Sequence, residues 1–303
     1  MKPVDGAVLL DKPEGISSFK ALTPVKRGLR GSKVGHTGTL DPFASGLMVV
    51  LCGRMTKLAS QLTNLDKTYE AVFCFGTETD TLDPEGQIVG EGSVPAFDRI
   101  SKELERFTGT FLQRPPAYSA VHVDGKRAYE RARSGETVEL PERSVSVREI
   151  ETLDWRAPKL RVRVTVSSGT YIRSIARDLG YACDTVAYVS ALRRVSVGAW
   201  QVRDAVRPDE FAPETDLISA ARTVASVPGL RRAVVVDSAV QRVCNGMPLR
   251  AEWLRFEERR VGGNTPADEV EGDVALFDSR GELLALATGL KGKFNYRFVR
   301  PPA

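Results

Sequence analysis

Hydrophobic and polar positions change period along this chain, alternating in some stretches and recurring every three to four residues in others. Gly6 to Leu10 is a short apolar strand that ends in the Pro- and Gly-rich turn Asp11-Lys12-Pro13-Glu14-Gly15. Phe19, Leu22, Val25 and Leu29 then repeat at helical spacing behind a Ser17-Ser18 cap, with Lys20, Lys26, Arg27 and Arg30 on the polar side. Pro24 should kink that helix or delay its start. Leu47 to Cys52 is apolar throughout and predicts a buried strand, and Arg54 to Leu62 reads as a short helix. In Lys67 to Gly76, Tyr69, Ala71, Phe73 and Phe75 share one strand face. Thr77 to Gly86 is acidic and turn-rich and reads as a loop. Phe97, Ile100, Leu104 and Phe107 mark an amphipathic helix ending at Gly109.

From Gln113 the character changes. Tyr118 to Val123 leads to an Asp124-Gly125 hairpin signal, followed by Lys126, Arg127, Arg131 and Arg133 interleaved with Tyr129. Such a mixture suits either a phosphate backbone or a solvated helical face. Val145 to Leu153 and Leu160 to Val166 read as strands, the second with one basic face. Ser167-Ser168-Gly169-Thr170 predicts the cap of a helix from Tyr171 to Leu179 that Gly180 terminates. Val186 to Trp200 is extended, the region Pro208 to Ala225 is helical, and Pro228-Gly229 is the best linker candidate. Beyond it, Ala233 to Val236, a helix ending at Asn245-Gly246, the pair Val274 to Phe277 with Leu283 to Ala287, and Tyr296 to Arg300 predict a small β-barrel. Glu257 to Glu271 is polar and reads as a mobile loop. The expected fold is α/β (α+β): a mixed, largely antiparallel sheet flanked by helices over residues 1–228, carrying a hairpin insertion at about 114–145, then a β-barrel over 229–303.

Composition adds bounds. With 42% hydrophobic and 27% charged residues the chain has the make-up of a globular protein. No apolar run would span a bilayer and no signal peptide follows Met1, so a cytoplasmic address is expected. The chain is also expected to act as a monomer. A net charge of +4 permits a nucleic-acid partner without requiring one. The four cysteines are far apart and there are only two histidines, which argues against a zinc site and a Cys–His hydrolase. Neither metal nor cofactor is called for; the chemistry is expected to rest on carboxylate, tyrosine and arginine.

One stretch concentrates that chemistry. Lys33 to Lys57 sets Asp41 in a loop punctuated by Gly35, Gly38 and Gly46, just ahead of the apolar strand. A carboxylate so placed is either a nucleophile or the closure of a turn before Pro42. Arg173 falls in the first turn of a helix, where the macrodipole disfavours a cation, and Arg177 adds a like charge one turn on. The pair either meets an anion or is solvated. The glycine loop lacks a P-loop's Gly-Lys-Ser/Thr ending, and no dinucleotide fingerprint follows the first strand.

Four segments in order, Leu9 to Ser18 (LLDKPEGISS), Gly35 to Gly46 (GHTGTLDPFASG), Asp66 to Ala71 (DKTYEA) and Ser167 to Gly180 (SSGTYIRSIARDLG), resemble the bacterial tRNA pseudouridine-55 synthase family, TruB. The final third resembles the small RNA-binding PUA domain. The resemblance implies an isomerase that converts a flipped-out uridine in the tRNA T-loop. It implies Asp41 as nucleophile, Tyr69 stacked on the uracil, Arg173 paired with Asp41 and keeping its pKa low, Tyr171 touching the substrate and Leu192 backing the base. It further implies that His36 fills the space the uridine leaves, and that Lys12, Lys126 and Arg127 contact the RNA. Val49 stands where the family commonly has proline, and Arg54-Met55 replaces a frequent acidic-small pair; neither touches the implied chemical groups.

Overall fold

Where the apolar run is unbroken, the strand is buried on both faces. The computed structural model describes residues 4–119, 122–123, 126–127, 140–256, 271–290 and 293–300. It opens with β1 (Gly6–Lys12), β2 (Val34–His36) and β3 (Ser45–Cys52), and every residue of β3 is buried. Between β1 and β2 lie two short helices rather than one. Ser18–Ala21 is capped by Ser17, whose side chain accepts from the Lys20 N–H, and Thr23–Gly28 begins with Pro24 in its first turn. Proline is tolerated in a first turn and not in a helix interior, so the break falls there.

Next come β4 (Lys67–Phe75), β5 (Thr77–Thr79) and β6 (Ile88–Glu91). The acidic stretch expected as a plain loop is instead the first strand and turn of the β5–β6 hairpin. After the helix Phe97–Leu104 the chain forms β7 (Gly109–Gln113), β8 (His122–Val123), β9 (Lys126–Arg127), β10 (Arg143–Arg156) and β11 (Lys159–Val166). β8 pairs with β9 across the position of the Asp-Gly signal. The helix Ile172–Ala182 leads into β12 (Ala187–Val197) and β13 (Trp200–Gln201). The expected helix over Pro208 to Ala225 is broken: 3-10 and α turns precede a two-residue strand, β14 (Ile218–Ser219), and only Ala220–Ala225 returns to helix. Its two prolines, Pro208 and Pro213, each start a turn and forbid one continuous helix.

These strands build one large sheet in the order β14-β1-β3-β12-β4-β11-β10-β7, with β2 beside β3 and β13 beside β12. Among the described residues its pairings are antiparallel except β3 with β12, where Arg193 and Arg194 lie opposite Ser45 and Gly46. That single parallel contact brings the end of β12 against the start of β3, directly after the loop that holds Asp41. The expected mixed, largely antiparallel sheet is observed.

The C-terminal part contains β15 (Arg231–Val235), the helix Asp237–Cys244, β16 (Leu254–Phe256), β17 (Gly272–Phe277), β18 (Leu283–Leu290) and β19 (Lys293–Val299). They form a second sheet in the order β16-β15-β17-β18-β19. One apolar set, including Ala233, Leu276 and Trp253, forms a core of its own. Another set, including Ala275, Phe277 and Leu286, packs into a cluster with Leu9, Leu47, Leu51 and Val224 of the first part. The Pro228-Gly229 junction therefore joins two units that share apolar core. Most of the polar stretch expected as a mobile loop, residues 257–270, lies outside the described residues. Among the described residues no helix is long and apolar enough to cross a membrane.

Candidate active site

The loop after β2, the β5–β6 turn, the first turn of the helix Ile172–Ala182 and the middle of β12 meet around a cavity of about 740 Å³. Asp41, Tyr69, Tyr171, Arg173 and Leu192, scattered over more than half the chain, all line it. The structure thus brings together five of the residues singled out from sequence.

Asp41 is fixed by its backbone before any ligand arrives. Its carbonyl accepts from the Ala44 N–H at 3.1 Å. On one side, the buried Ser18 hydroxyl bonds both the N–H and the C=O of Leu40, each at 2.8 Å. On the other, the Pro42 carbonyl accepts from the Gly15 N–H at 2.9 Å and from Lys12 Nζ at 3.2 Å. Lys12 also donates to the carbonyls of Pro13 and Ile16, and its side chain is fully buried. Lys12, expected to contact RNA, instead has its ammonium directed at three backbone carbonyls. Burial pulls its pKa down to about 8.

Arg173, only 4% exposed, is the hub of the site. Its Nη2 lies 3.0 Å from Asp41 Oδ2 and donates to the Tyr118 carbonyl at 3.0 Å; its Nη1 donates to Asp83 Oδ2 at 3.1 Å and to the Thr81 carbonyl at 2.7 Å. The anion that its place in the helix's first turn called for is thus a pair of carboxylates. Arg177 does not share in it, donating instead to Asp178 and to the Arg114 carbonyl. Asp83 was missed in the sequence. It reads as a turn residue in Asp83-Pro84-Glu85-Gly86, and in part it is one, accepting from the Glu85 N–H and the Thr81 hydroxyl. Nothing local distinguishes such an aspartate from one that also grips a guanidinium.

The shared arginine changes the titration of Asp41. Burial raises its pKa above the ordinary 3.8; Arg173 pulls it back, Asp83 pushes it up again, and Lys12 lowers it, with a net rise. The low value expected from the Arg173 pairing is overturned, because desolvation outweighs the pull of Arg173 and Asp83 adds to the rise.

Tyr69 sits on β4 and is nearly buried, with Leu192 on the neighbouring strand. Tyr171 precedes the helix without a capping side chain; the Gln113 amide instead clamps Tyr171's own backbone, accepting from its N–H at 2.9 Å and donating to its carbonyl at 3.1 Å. The expected cap at Ser167 to Thr170 is not used. His36 is not among the residues lining the cavity; its Nδ1 accepts from the Gly38 N–H at 3.3 Å. Desolvation first, then Arg194 and Lys26, hold its pKa below 6.5. Lys126 and Arg127 lie on the β8–β9 hairpin, and their side chains are outside the described residues. Among the described residues no group of three His, Cys, Asp or Glu side chains is placed to hold a metal ion.

Residues 26–172 match the family model described as TruB family pseudouridylate synthase, N-terminal domain. The chain is 37% identical over 298 residues to a tRNA pseudouridine synthase B of Borrelia garinii subsp. bavariensis, covering 97% of this chain and 98% of that protein. It is 41% identical over 303 residues to the protein of the same name from Cupriavidus metallidurans, covering 96% and 92%. Among solved structures it resembles a chain of a Cbf5-Nop10-Gar1 complex, with a TM-score of 0.68 at 26% identity over 98% of this chain and 85% of that one.

Proposed function

The chain belongs to the TruB family of pseudouridine synthases, isomerases acting on tRNA, and from that premise we propose that it converts the uridine at position 55 of the tRNA T-loop to pseudouridine with Asp41 as nucleophile. The reaction breaks the N1–C1′ bond, turns the uracil over and joins C5 to C1′; C5 gives up a proton and N1 gains one. The observation that carries this reading is the convergence of Asp41, Tyr69 and Arg173 on a single cavity.

A base cannot reach that cavity while stacked in RNA, so the target uridine is extruded, at a cost of a few kcal/mol. The Tyr69 ring supplies a stacking face worth about 1–3 kcal/mol, and Leu192 backs the base. Arg173 orients the Asp41 carboxylate before substrate binds, so no reorganisation is needed as charge develops. Tyr171 contacts the substrate, His36 occupies the place the uridine leaves, and the hairpin with Lys126 and Arg127 grips the T-arm. Residues 1–228 form the catalytic unit of a monomer, and 229–303 a PUA-like unit that adds RNA contacts.

The test is isomerisation of an unmodified tRNA transcript, with new pseudouridine mapped by carbodiimide-blocked primer extension. The parent is expected to give one stop, at the T-loop uridine. Asp41→Asn is expected to give none while binding tRNA with near-parental affinity. An active Asp41→Asn enzyme would remove Asp41 as nucleophile, and a stop elsewhere in the tRNA would remove the T-loop assignment.

A further inference from the structure

Gly38 and Leu47 bound the segment that carries Asp41, and one side chain reaches both. Arg194 on β12 donates from Nε to the Leu47 carbonyl at 2.7 Å and from Nη2 to the Gly38 carbonyl at 3.1 Å. Its own backbone presses on the same segment. A Cβ at Gly46 would stand 2.3 Å from the Arg194 carbonyl oxygen and 2.7 Å from its nitrogen, and Gly46 has φ +105°, so glycine alone fits there.

We propose that Arg194 is a positioning residue for the isomerisation: its guanidinium straps the two ends of the Asp41 loop together and so holds the carboxylate at the angle and distance the reaction needs. The proposal rests on Asp41 being the reacting group.

The argument against a merely structural arginine is its cost. Arg194 is 2% exposed, and among the described residues no carboxylate pairs with it. A buried cation without a counter-ion is expensive unless something specific depends on it. Like charges crowd it as well: its field helps depress His36, Lys12 and Lys67, the two lysines to about 8. An apolar side chain would fill the space more cheaply. An apolar residue meets no carbonyl, and a lysine must gather its acceptors around one nitrogen, as Lys12 does. Only arginine's rigid planar fork reaches two separated carbonyls from different nitrogens in fixed directions. Arg193 next door shows the ordinary alternative: it is more exposed and spends its fork on Asp11.

The other fasteners, Ser18 on Leu40 and Lys12 on Pro42, hold the loop in its middle. Both ends are also tied into the sheet, Thr37 N–H to the Val49 carbonyl and Gly46-Leu47 in the β1–β3 ladder. What the strap adds is a fixed spacing of Gly38 against Leu47, and when that spacing shifts Asp41 shifts with it. A misplacement of about 1 Å at a reacting centre lowers rate by about 100-fold.

The experiment compares full-length parent, Arg194→Lys, Arg193→Lys and Asp41→Asn on the same tRNA. It reads single-turnover pseudouridine formation, tRNA affinity, urea unfolding and amide exchange. Arg194→Lys keeps the charge and loses the fork. Its expected result is a rate about 100-fold lower with affinity within about threefold of the parent. Amides of residues 38–47 should exchange faster, those of β4 should not, and Arg193→Lys should match the parent. Three outcomes overturn the strap: parental turnover by Arg194→Lys, a loss that appears in tRNA affinity instead of rate, or loss of cooperative unfolding in that variant. Turnover by Asp41→Asn would defeat the underlying reading instead, which keeps the two failures apart.

Discussion

Burial sets the direction in which Asp41 titrates, and the second carboxylate on Arg173, Asp83, adds to the rise. The proposed nucleophile must be ionised to act, so on that proposal a raised pKa places the acid limb of activity above the ordinary aspartate range. Asp83 is one of the causes of that rise. Asp83→Asn keeps an acceptor for Arg173 and removes the charge, so the acid limb of the single-turnover pH profile is expected to move to lower pH. A limb that stayed in place or moved upward would show that Asp83 does not act on Asp41 through its charge. Stability follows the opposite sense. The folded value of Asp41 lies above the unfolded one, so protonation favours the folded state. The stability linked to this group is greatest at low pH and declines as pH rises from 3.8 through the raised value. Asp41→Asn should flatten that decline in urea titrations across the window. At this scale the sequence marked Asp41, Tyr69 and Arg173, and the resemblance gave the Asp41–Arg173 pair, but neither gave Asp83 as the second partner of Arg173. Lys12 illustrates the limit: a lysine in a Pro-Gly turn reads as exposed, and only packing shows that three carbonyls enclose it.

The helix Ile172–Ala182 carries Arg173 into the site, and its far end corrects a local rule. Gly180 looks like a terminator, yet the helix runs past it to Ala182. The residue is glycine because a Cβ there would stand 2.8 Å from the Ala187 nitrogen and 2.9 Å from the Val186 carbonyl carbon. Gly180→Ala therefore sets two effects against each other. Helix propensity favours alanine by about 1 kcal/mol, while forcing a methyl against strand backbone costs about 1–3 kcal/mol. A net loss of about 1 kcal/mol is expected, read as a lower urea midpoint; a higher midpoint would mean the helix can shift away from β12 without cost. β4 and β11 were legible from side-chain alternation and β3 from its unbroken apolar run, because each pattern states its own burial requirement. The Pro208 to Ala225 region was not, because an edge strand of two residues leaves no period to read.

Across the whole molecule, the apolar cluster that joins the two sheets decides how the chain unfolds. Phe277 of β17 is fully buried in it, alongside Leu9, Leu51 and Val224 from the first part. Phe277→Ala is expected to cost about 3–5 kcal/mol and to lower a single cooperative transition seen by both near- and far-ultraviolet circular dichroism. Two separated transitions in the parent would mean that the shared cluster does not couple the sheets. The sequence on its own determined the kinds of element, their order and the loop that presents Asp41, because periodicity, caps and turn residues act over a few positions. Tertiary structure alone decided that Asp83 competes for Arg173 across 90 residues and that Arg194 reaches Leu47 across 147. A hydrogen bond between residues so distant depends on where the fold brings their segments together, and no local pattern encodes that meeting.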